Sequence, residues 1–224
     1  MKTKILILLF LFAFSYSPFA QQSSTTNTVN RPKRVPFNQK YLRQLKLPKG
    51  FKVAVFADNL ENPRMLQARD DGAVYVTRPD EKDVLLLRDT NSDGRADEKK
   101  TIASGLNLVH GITVHNGKLY LCGEKELYES GLDGTNLKKL ISDLPDGGQH
   151  PNRTIGFGPD GMLYISIGSD CNSCRESNPE HASILQFAND GSARKIFAKG
   201  LRNTIGFGWH PETKVMWGMD HGLQ

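Results

Sequence analysis

The stretches NRTIGFGPDGMLYISIG (residues 152–168) and RNTIGFGWHPETKVMWG (residues 202–218) share the core Thr-Ile-Gly-Phe-Gly. The same order of apolar alternation, glycine-containing turn and second apolar strand occurs at residues 62–78 and 110–123. One aromatic residue holds the same place in each copy, at intervals of 45, 44 and 53 residues: Tyr75, Tyr120, Tyr164 and Trp217. Short strands that recur every 40–50 residues or so are typical of the blades of a β-propeller.

Each unit also contains two further predicted strands. An Asp-Gly turn follows the third strand, where glycine accepts a positive φ and aspartate bonds the local backbone. These turns lie at Asp93-Gly94, Asp133-Gly134 and Asp190-Gly191. Residues 51–60 have the pattern of one more outer strand. No segment shows helical periodicity, and a β-sandwich would not repeat one aromatic position four times, so the sequence predicts an all-β propeller.

The number of units predicts an incomplete ring. Residues 62–106, 107–145 and 146–201 make three full blades, and residues 202–224 make part of another. A propeller needs about four to eight blades to close its ring and cover its strand edges. We therefore expect residues 47–224 to be a piece of a longer protein, with about three and a half four-stranded blades.

The N-terminal residues have the pattern of an export signal. In residues 1–20, two lysines precede an apolar run, as in a secretory signal peptide. The run is shorter than the ~20 residues of a membrane span. We expect a periplasmic or secreted protein without stable membrane insertion, with an uncleaved anchor as the alternative. Residues 21–46 are expected to form a flexible basic linker.

The net charge of +5 comes from this N-terminal part. Ten of the 29 basic residues lie before residue 53, where no acidic residue occurs; the remaining 19 are set against 24 acidic residues, so the blades carry about −5. A nucleic-acid interface needs a basic face interleaved with aromatic residues. The blades lack one, and no nucleic-acid partner is expected.

Cys171 and Cys174 form a C-x-x-C pair in a chain that is expected to be exported. This context favours a local disulfide. A thioredoxin-like redox role would need a βαβ unit, and a zinc site would need a second pair of ligands nearby.

The segment DTNSDGRADE (residues 89–98) resembles the first half of a calcium loop. Oxygen ligands lie at alternate positions before and after a glycine: Asp89, Asn91, Asp93 and Asp97. The twelfth position is Lys100 and not a bidentate glutamate. A structural calcium site and an ordinary acidic turn therefore remain equally open.

Candidate active-site residues precede two of the innermost strands. His150 lies where loops of successive blades converge on one end of the central channel, and a histidine there suits proton abstraction near neutral pH. Arg202 and Asn203 hold the equivalent place in the next blade, and arginine pairs well with a carboxylate or quinone oxygen. For His150 alone, an ordinary core or surface role is the alternative.

Three motifs in this order resemble a known family: NPR, GGQH…GPDGMLYISIGS and GLRN…W…DHG. They are similar to the soluble sugar dehydrogenases that use pyrroloquinoline quinone (PQQ), which are six-bladed propellers and include the aldose sugar dehydrogenases and the L-sorbosone dehydrogenase branch. The resemblance runs from about Leu47 to the last residue, and DTNSDGRADE and GSDCNSC favour the sorbosone branch. It implies a quinoprotein with PQQ and Ca²⁺ that oxidises an aldose or sugar aldehyde and passes electrons to a cytochrome or a quinone.

The resemblance also implies roles for individual residues. His150 is expected to be the general base for the sugar hydroxyl, and Arg202 and Asn203 to contact the cofactor. The backbone carbonyls of Gly222 and Leu223 are expected to bind the calcium, although Leu223 stands where many members have proline. Because other cofactor contacts come from later blades, this piece alone is expected to be inactive.

Two other functions remain open. One is a non-catalytic propeller that acts as a carbohydrate- or protein-binding module. The other is a hydrolase-type propeller with calcium in its channel, which the lack of a carboxylate cluster in the inner loops makes weaker.

Overall fold

The structure is a computed structural model that describes residues 35–222. The expected signal peptide, the first part of the expected linker and Leu223 lie outside the described residues. The described elements belong to one unit, Phe37–Gln224. They are a 3-10 helix (Gln39–Gln44) and strands β1 (Leu66–Ala68), β2 (Val74–Arg78), β3 (Asp83–Arg88), β4 (Glu98–Ser104), β5 (Gly111–His115), β6 (Lys118–Cys122), β7 (Leu127–Gly131), β8 (Lys138–Ile141), β9 (Ile155–Phe157), β10 (Leu163–Ile167), β11 (Ser183–Phe187), β12 (Lys195–Lys199), β13 (Thr204–Trp209) and β14 (Met216–Asp220).

The strands form four separate antiparallel sheets in chain order. Sheet A contains β1 to β4, sheet B contains β5 to β8, sheet C contains β9 to β12, and sheet D contains β13 and β14. Within each sheet, every strand pairs with the next along the chain. The predicted all-β propeller, here with three four-stranded blades and a two-stranded one, is confirmed.

The repeat extends to details of the backbone. The outer strand pair of sheets A, B and C has a register shift at the same place, after the first or second residue of its third strand. The glycines of the three Asp-Gly turns have φ values of 87°, 86° and 86°. Each turn aspartate accepts a hydrogen bond from the N–H two residues on, as predicted: Asp93 from Arg95, Asp133 from Thr135 and Asp190 from Ser192.

The sheets stack face to face around a common hub. First strands of successive sheets contact each other, β1 with β5 and β5 with β9. One apolar core lies between sheets A and B, and a second between sheets B and C. Each fully buried Leu or Ile side chain there stabilises the stack by about 1.5–3 kcal/mol. Fully or almost fully buried members include Tyr75, Leu119 and Leu121 in the first core and Leu127, Leu163, Ile165 and Leu185 in the second.

Aromatic rings of sheet D pack on bare backbone of sheet C. A Cβ built on Gly156 would lie 3.3 Å from Phe207, and one built on Gly158 would lie 3.2 Å from Trp209. The equivalent glycines of sheet D, Gly206 and Gly208, have nothing within 4 Å. Gly156 therefore makes room for a ring of the following sheet, whereas a Cβ on Gly158 would first meet Asp160 and Tyr164 of its own sheet. On the far side of sheet D, Trp217 is 70% exposed and Met219 is 62% exposed.

Residues 51–60 do not form the predicted outer strand. The segment is irregular and lies across one face of sheet A, where Phe56, Ala57 and Leu60 pack against the cluster of Val76, Leu85 and Leu87. Its alternating apolar residues fit this face. A strand, however, needs a neighbouring strand edge for a ladder of hydrogen bonds. Here the backbone carbonyl of Phe56 accepts a single hydrogen bond, from the N–H of Ala96 at 2.7 Å, and that bond does not continue as a ladder.

The expected linker contains a short ordered element. The 3-10 helix Gln39–Gln44 begins after Asn38, whose side chain accepts a hydrogen bond from the N–H of Lys40, and none of its residues is buried. Within residues 35–222, no helix has the length and apolarity that a membrane crossing requires.

Candidate active site

The predicted site residues lie on loops at one end of the propeller. Because neighbouring strands are antiparallel, the loop before the first strand and the loop after the second strand of a sheet lie at the same end. In sheet C these loops are residues 145–154 and 168–182; in sheet D they are residues 200–203 and the segment that begins at residue 221. His150 is on the first of them.

Arg153 holds the loop that carries His150. Its side chain is fully buried. The guanidinium donates hydrogen bonds to the carbonyl oxygens of Glu124 (3.0 Å), His150 (3.2 Å) and Pro145 (2.7 Å). Burial lowers the pKa of Arg153, and the three carbonyl dipoles stabilise the positive charge of the guanidinium. The loop is thus built around a buried cation.

The imidazole of His150 is held in one tautomer. Its Nδ1 lies 2.8 Å from the carbonyl oxygen of Ser169. A carbonyl can only accept, so Nδ1 carries the proton and Nε2 of the neutral ring is free of one. Gly168 permits this close approach, because a Cβ at that position would collide with the Cβ and carbonyl oxygen of His150. The geometry suits a general base.

Arg202 is joined to the same residue as His150. Its carbonyl oxygen accepts a hydrogen bond from the N–H of Ser169 at 2.8 Å. The guanidinium donates to Asn172, from Nε to the carbonyl (3.0 Å) and from Nη2 to Oδ1 (2.5 Å). Its Nη1 donates to the carbonyls of His221 and Gly222, both at 3.1 Å. With four of its five N–H groups engaged by described residues, one remains for a ligand.

Asn203 and Gly222 complete this end of sheet D. The N–H of Asn203 donates to Asp220 Oδ1 at 2.9 Å, and its carbonyl accepts from the N–H of His221 at 3.0 Å. The carbonyl of Gly222, an expected calcium ligand, already accepts from Arg202. A carbonyl oxygen has two lone pairs, so a cation bound there would share this oxygen with the guanidinium.

A pocket of about 430 Å³ opens between these loops. Its walls include Arg202, Asn172, Gly222 and Ser169. His150 does not line it, although its hydrogen-bond partner Ser169 does. The structure therefore brings Arg202 and one expected calcium ligand to a cavity, and attaches His150 to the same wall through Ser169.

Cys171 and Cys174 form a disulfide in the long loop of sheet C, with their Cα atoms 6.0 Å apart. Asn172, the acceptor for Arg202, lies between them. The cysteines of the motif GSDCNSC predict the disulfide, but the motif did not identify Ser169 and Asn172 as site residues. The third cysteine, Cys122, is a buried free thiol, and burial raises its pKa to about 12.

The acidic turn at residues 89–97 lies on the outer hairpin of sheet A, away from this pocket. Both carboxylate oxygens of Asp89 accept backbone hydrogen bonds, from the N–H groups of Asp93 and Gly94. Asn91 accepts from the N–H of Asp93, and Asp97 accepts from Thr90. The turn is held by its own backbone, and calcium binding there stays a prediction.

The fold and these loops define a β-propeller with a histidine and an arginine attached to one loop residue beside an open pocket. A family model described as TrAA12-like matches residues 45–224. The chain belongs to the TrAA12-like family.

Similar proteins include one curated sequence and several solved structures. An uncharacterized protein of Borreliella burgdorferi is 26% identical over 195 residues, which are 80% of this chain and 49% of that protein. The PQQ domain of a pyranose dehydrogenase from Coprinopsis cinerea matches with a TM-score of 0.70 at 20% identity, over 80% of this chain and 48% of that one.

A PQQ-bound aldose sugar dehydrogenase from Streptomyces coelicolor matches with a TM-score of 0.57 at 16% identity, over 74% of this chain and 58% of that one. At these identities the likeness shows the propeller fold. The chain spans about half the length of the curated relative and of the pyranose dehydrogenase domain.

Proposed function

We propose that this chain is part of a PQQ-dependent quinoprotein that oxidises an aldose or a sugar aldehyde in the periplasm or outside the cell. The observation that carries the proposal is the shared attachment at Ser169. Its carbonyl fixes the tautomer of His150, and its N–H holds the backbone of Arg202. A proton acceptor and a cation are thus placed at one end of the same hub.

In this proposal His150 removes a proton from the substrate hydroxyl. The ring needs no rearrangement, because Nδ1–H is already bonded to Ser169 and Nε2 is the accepting atom. After it takes the proton, the imidazolium keeps its Nδ1 hydrogen bond, which limits the reorganisation that the step requires.

Arg202 binds and orients the anionic cofactor. PQQ, when bound, supplies the quinone that accepts the hydride. The pocket is open and lined by Arg202, whose one remaining guanidinium N–H points to a ligand role. The two bonds to Asn172 hold the guanidinium plane and limit the entropy lost on binding. Asn203, the next residue along the chain, is proposed as a second contact to the cofactor.

Calcium at Gly222 and Leu223 is part of the same proposal. The carbonyl of Gly222 accepts a hydrogen bond from Arg202, and a lone cation there would meet a like charge. An anionic cofactor bound between them would offset this repulsion. The proposal therefore requires that calcium and PQQ bind together, and that calcium alone binds weakly.

The substrate and the electron acceptor, a cytochrome or a quinone, are proposals for the whole protein. The same is true of the other cofactor contacts, since the match to this chain covers only about half of each of these proteins. A non-catalytic carbohydrate- or protein-binding propeller is the second candidate, because the fold alone is compatible with it.

Dye reduction by the full-length protein tests the proposal. The protein is mixed with PQQ, Ca²⁺ and a panel of aldoses and sugar aldehydes, and reduction of an artificial acceptor is followed. We expect activity that His150→Ala abolishes while PQQ affinity is kept. His210→Asn is the matched control, since His210 caps the β13–β14 turn at the other end of the propeller. If none of the sugars gives cofactor-dependent dye reduction, the result would favour the binding module.

A further inference from the structure

His181 is a buried histidine outside the pocket, in the long loop of sheet C that also contains the disulfide. Its side chain is 3% exposed. Nε2 lies 2.8 Å from the backbone carbonyl of Asp146. Because that carbonyl can only accept, Nε2 carries a proton. The other nitrogen, Nδ1, is buried and has no hydrogen-bond partner among residues 35–222.

Two carboxylates lie near the unpartnered nitrogen, and a third lies near the other side of the ring. Asp170 Oδ1 lies 2.6 Å from Nδ1, without forming an aligned hydrogen bond, and Glu176 Oε2 lies 3.8 Å away. The carboxylate of Asp146 lies nearer the other ring nitrogen, with Oδ1 3.8 Å from Nε2, and ligand atoms of Asp146, Asp170 and His181 all lie within 4.8 Å of one another. A bare ring nitrogen facing a carboxylate oxygen is repulsive, so this arrangement needs a positive charge between the two atoms.

The geometry points to a divalent metal ion as that charge: we propose that His181 Nδ1, Asp170 and Asp146 bind a zinc-like ion, with Glu176 beside it. Histidine and carboxylates are ligands of zinc. A metal-binding histidine usually donates its other ring N–H to a carboxylate or backbone carbonyl, as His181 does to Asp146. Three carboxylates around one histidine supply more negative charge than a single proton offsets.

To receive the ion, the carboxylates of Asp146 and Asp170 would both have to move. Ligand distances of about 2.1 Å around a tetrahedral zinc place two ligand atoms about 3.4 Å apart. The carboxylate of Asp170 would therefore move by about 0.8 Å from its present 2.6 Å separation. Its other oxygen, Oδ2, accepts from the N–H and hydroxyl of Ser177, so Oδ1 is the atom left to bind the metal.

The ion would join two loops of the candidate site. Asp146 precedes His150 on its loop, and Asp170 directly follows Ser169. The carbonyl of Asp170 already accepts a hydrogen bond from the N–H of Gln149 at 3.0 Å. A metal bound by Asp146 and Asp170 would fix the His150 loop against the disulfide loop, as a structural ion that takes no part in the chemistry.

Metal titration of the full-length protein tests this inference and needs no PQQ or turnover. After EDTA treatment, Zn²⁺ is titrated by calorimetry, and Co²⁺ is used for its visible absorption. We expect one equivalent to bind and the thermal midpoint to rise. Asp170→Asn and Asp146→Asn should each weaken binding at least about tenfold, since loss of even an outer-shell partner usually weakens it by about 10- to 100-fold.

Two control variants locate the ion. Asp143→Asn removes an exposed carboxylate paired with Arg194, and Asp93→Asn removes one from the turn at residues 89–97; both should bind Zn²⁺ as the wild type does. Binding that is unchanged in Asp146→Asn and Asp170→Asn would overturn the inference. So would an NMR spectrum with both nitrogens of His181 protonated at neutral pH in the presence of Zn²⁺. Asp146 is 59% exposed, so that variant is expected to fold.

Discussion

Replacing Arg153 with methionine tests whether the buried cation holds the His150 loop. Methionine keeps much of the length of the side chain but donates no hydrogen bond. Three carbonyl oxygens, buried on Pro145 and partly buried on Glu124 and His150, would then lose their donor. At about 1 kcal/mol for each unsatisfied group, the low end of the usual range, the free energy of unfolding should fall by about 3 kcal/mol.

Urea unfolding and hydrogen exchange measure this loss. With an m value near 2 kcal/mol/M, the midpoint should fall by about 1.5 M urea, and amides of residues 147–153 should lose protection before the sheets do. Arg95→Met is the control, since Arg95 is exposed and bonds only the distant oxygen of Asp58 at 3.5 Å with its side chain; it should change stability by less than about 0.5 kcal/mol. Equal stability and exchange in Arg153→Met and the wild type would refute this reasoning.

Three further predictions concern packing, pH and the pocket. Trp209→Ala should destabilise the protein by about 2 kcal/mol, less than a fully buried tryptophan would, because the ring is half-buried; Trp217→Ala, at an exposed position, is the control for thermal melting. Burial lowers the pKa of His110 from its ordinary 6.5, so stability should be full above pH 6.5 and fall as the pH drops through the lowered value, because the unfolded chain takes up the proton first. Thermal melting between about pH 8 and about pH 5 should show this loss in the wild type and less of it in His110→Gln. Asn172→Ala should weaken PQQ binding about tenfold through loss of one charge-assisted bond to Arg202; an unchanged dissociation constant in a PQQ titration would contradict that role.

The fold could be predicted because the physical constraints recur along the chain. Each turn glycine is needed for a positive φ, and each second strand needs a large side chain at the same place in the stack. Tyr75, Tyr120 and Tyr164 are all nearly or fully buried there. His150 and Arg202 could be placed at one end for the same reason, since both precede a first strand.

Contacts between loops could not be predicted in this way, because loops have no period. Nothing in the sequence indicates that Arg153 turns inward to three carbonyls, that Ser169 bonds both His150 and Arg202, or that His181 meets Asp146, 35 residues away. The prediction of an outer strand at residues 51–60 was wrong for a different reason. Their alternation is real, but it matches a sheet face, and a sequence pattern does not reveal whether a strand edge is available.

The glycines of the Gly-Phe-Gly motif have a consequence for how such a chain can lengthen. Gly156 leaves room for the Phe207 ring of the next unit, while Phe157 of the same strand stacks on His115 of the unit before it, with ring centroids 3.9 Å apart. Sheet C thus carries both complementary halves of one interface. Tandem duplication of such a unit would place a phenylalanine over a glycine at the new junction, as Phe207 lies over Gly156, and Gly206 presents a bare position again.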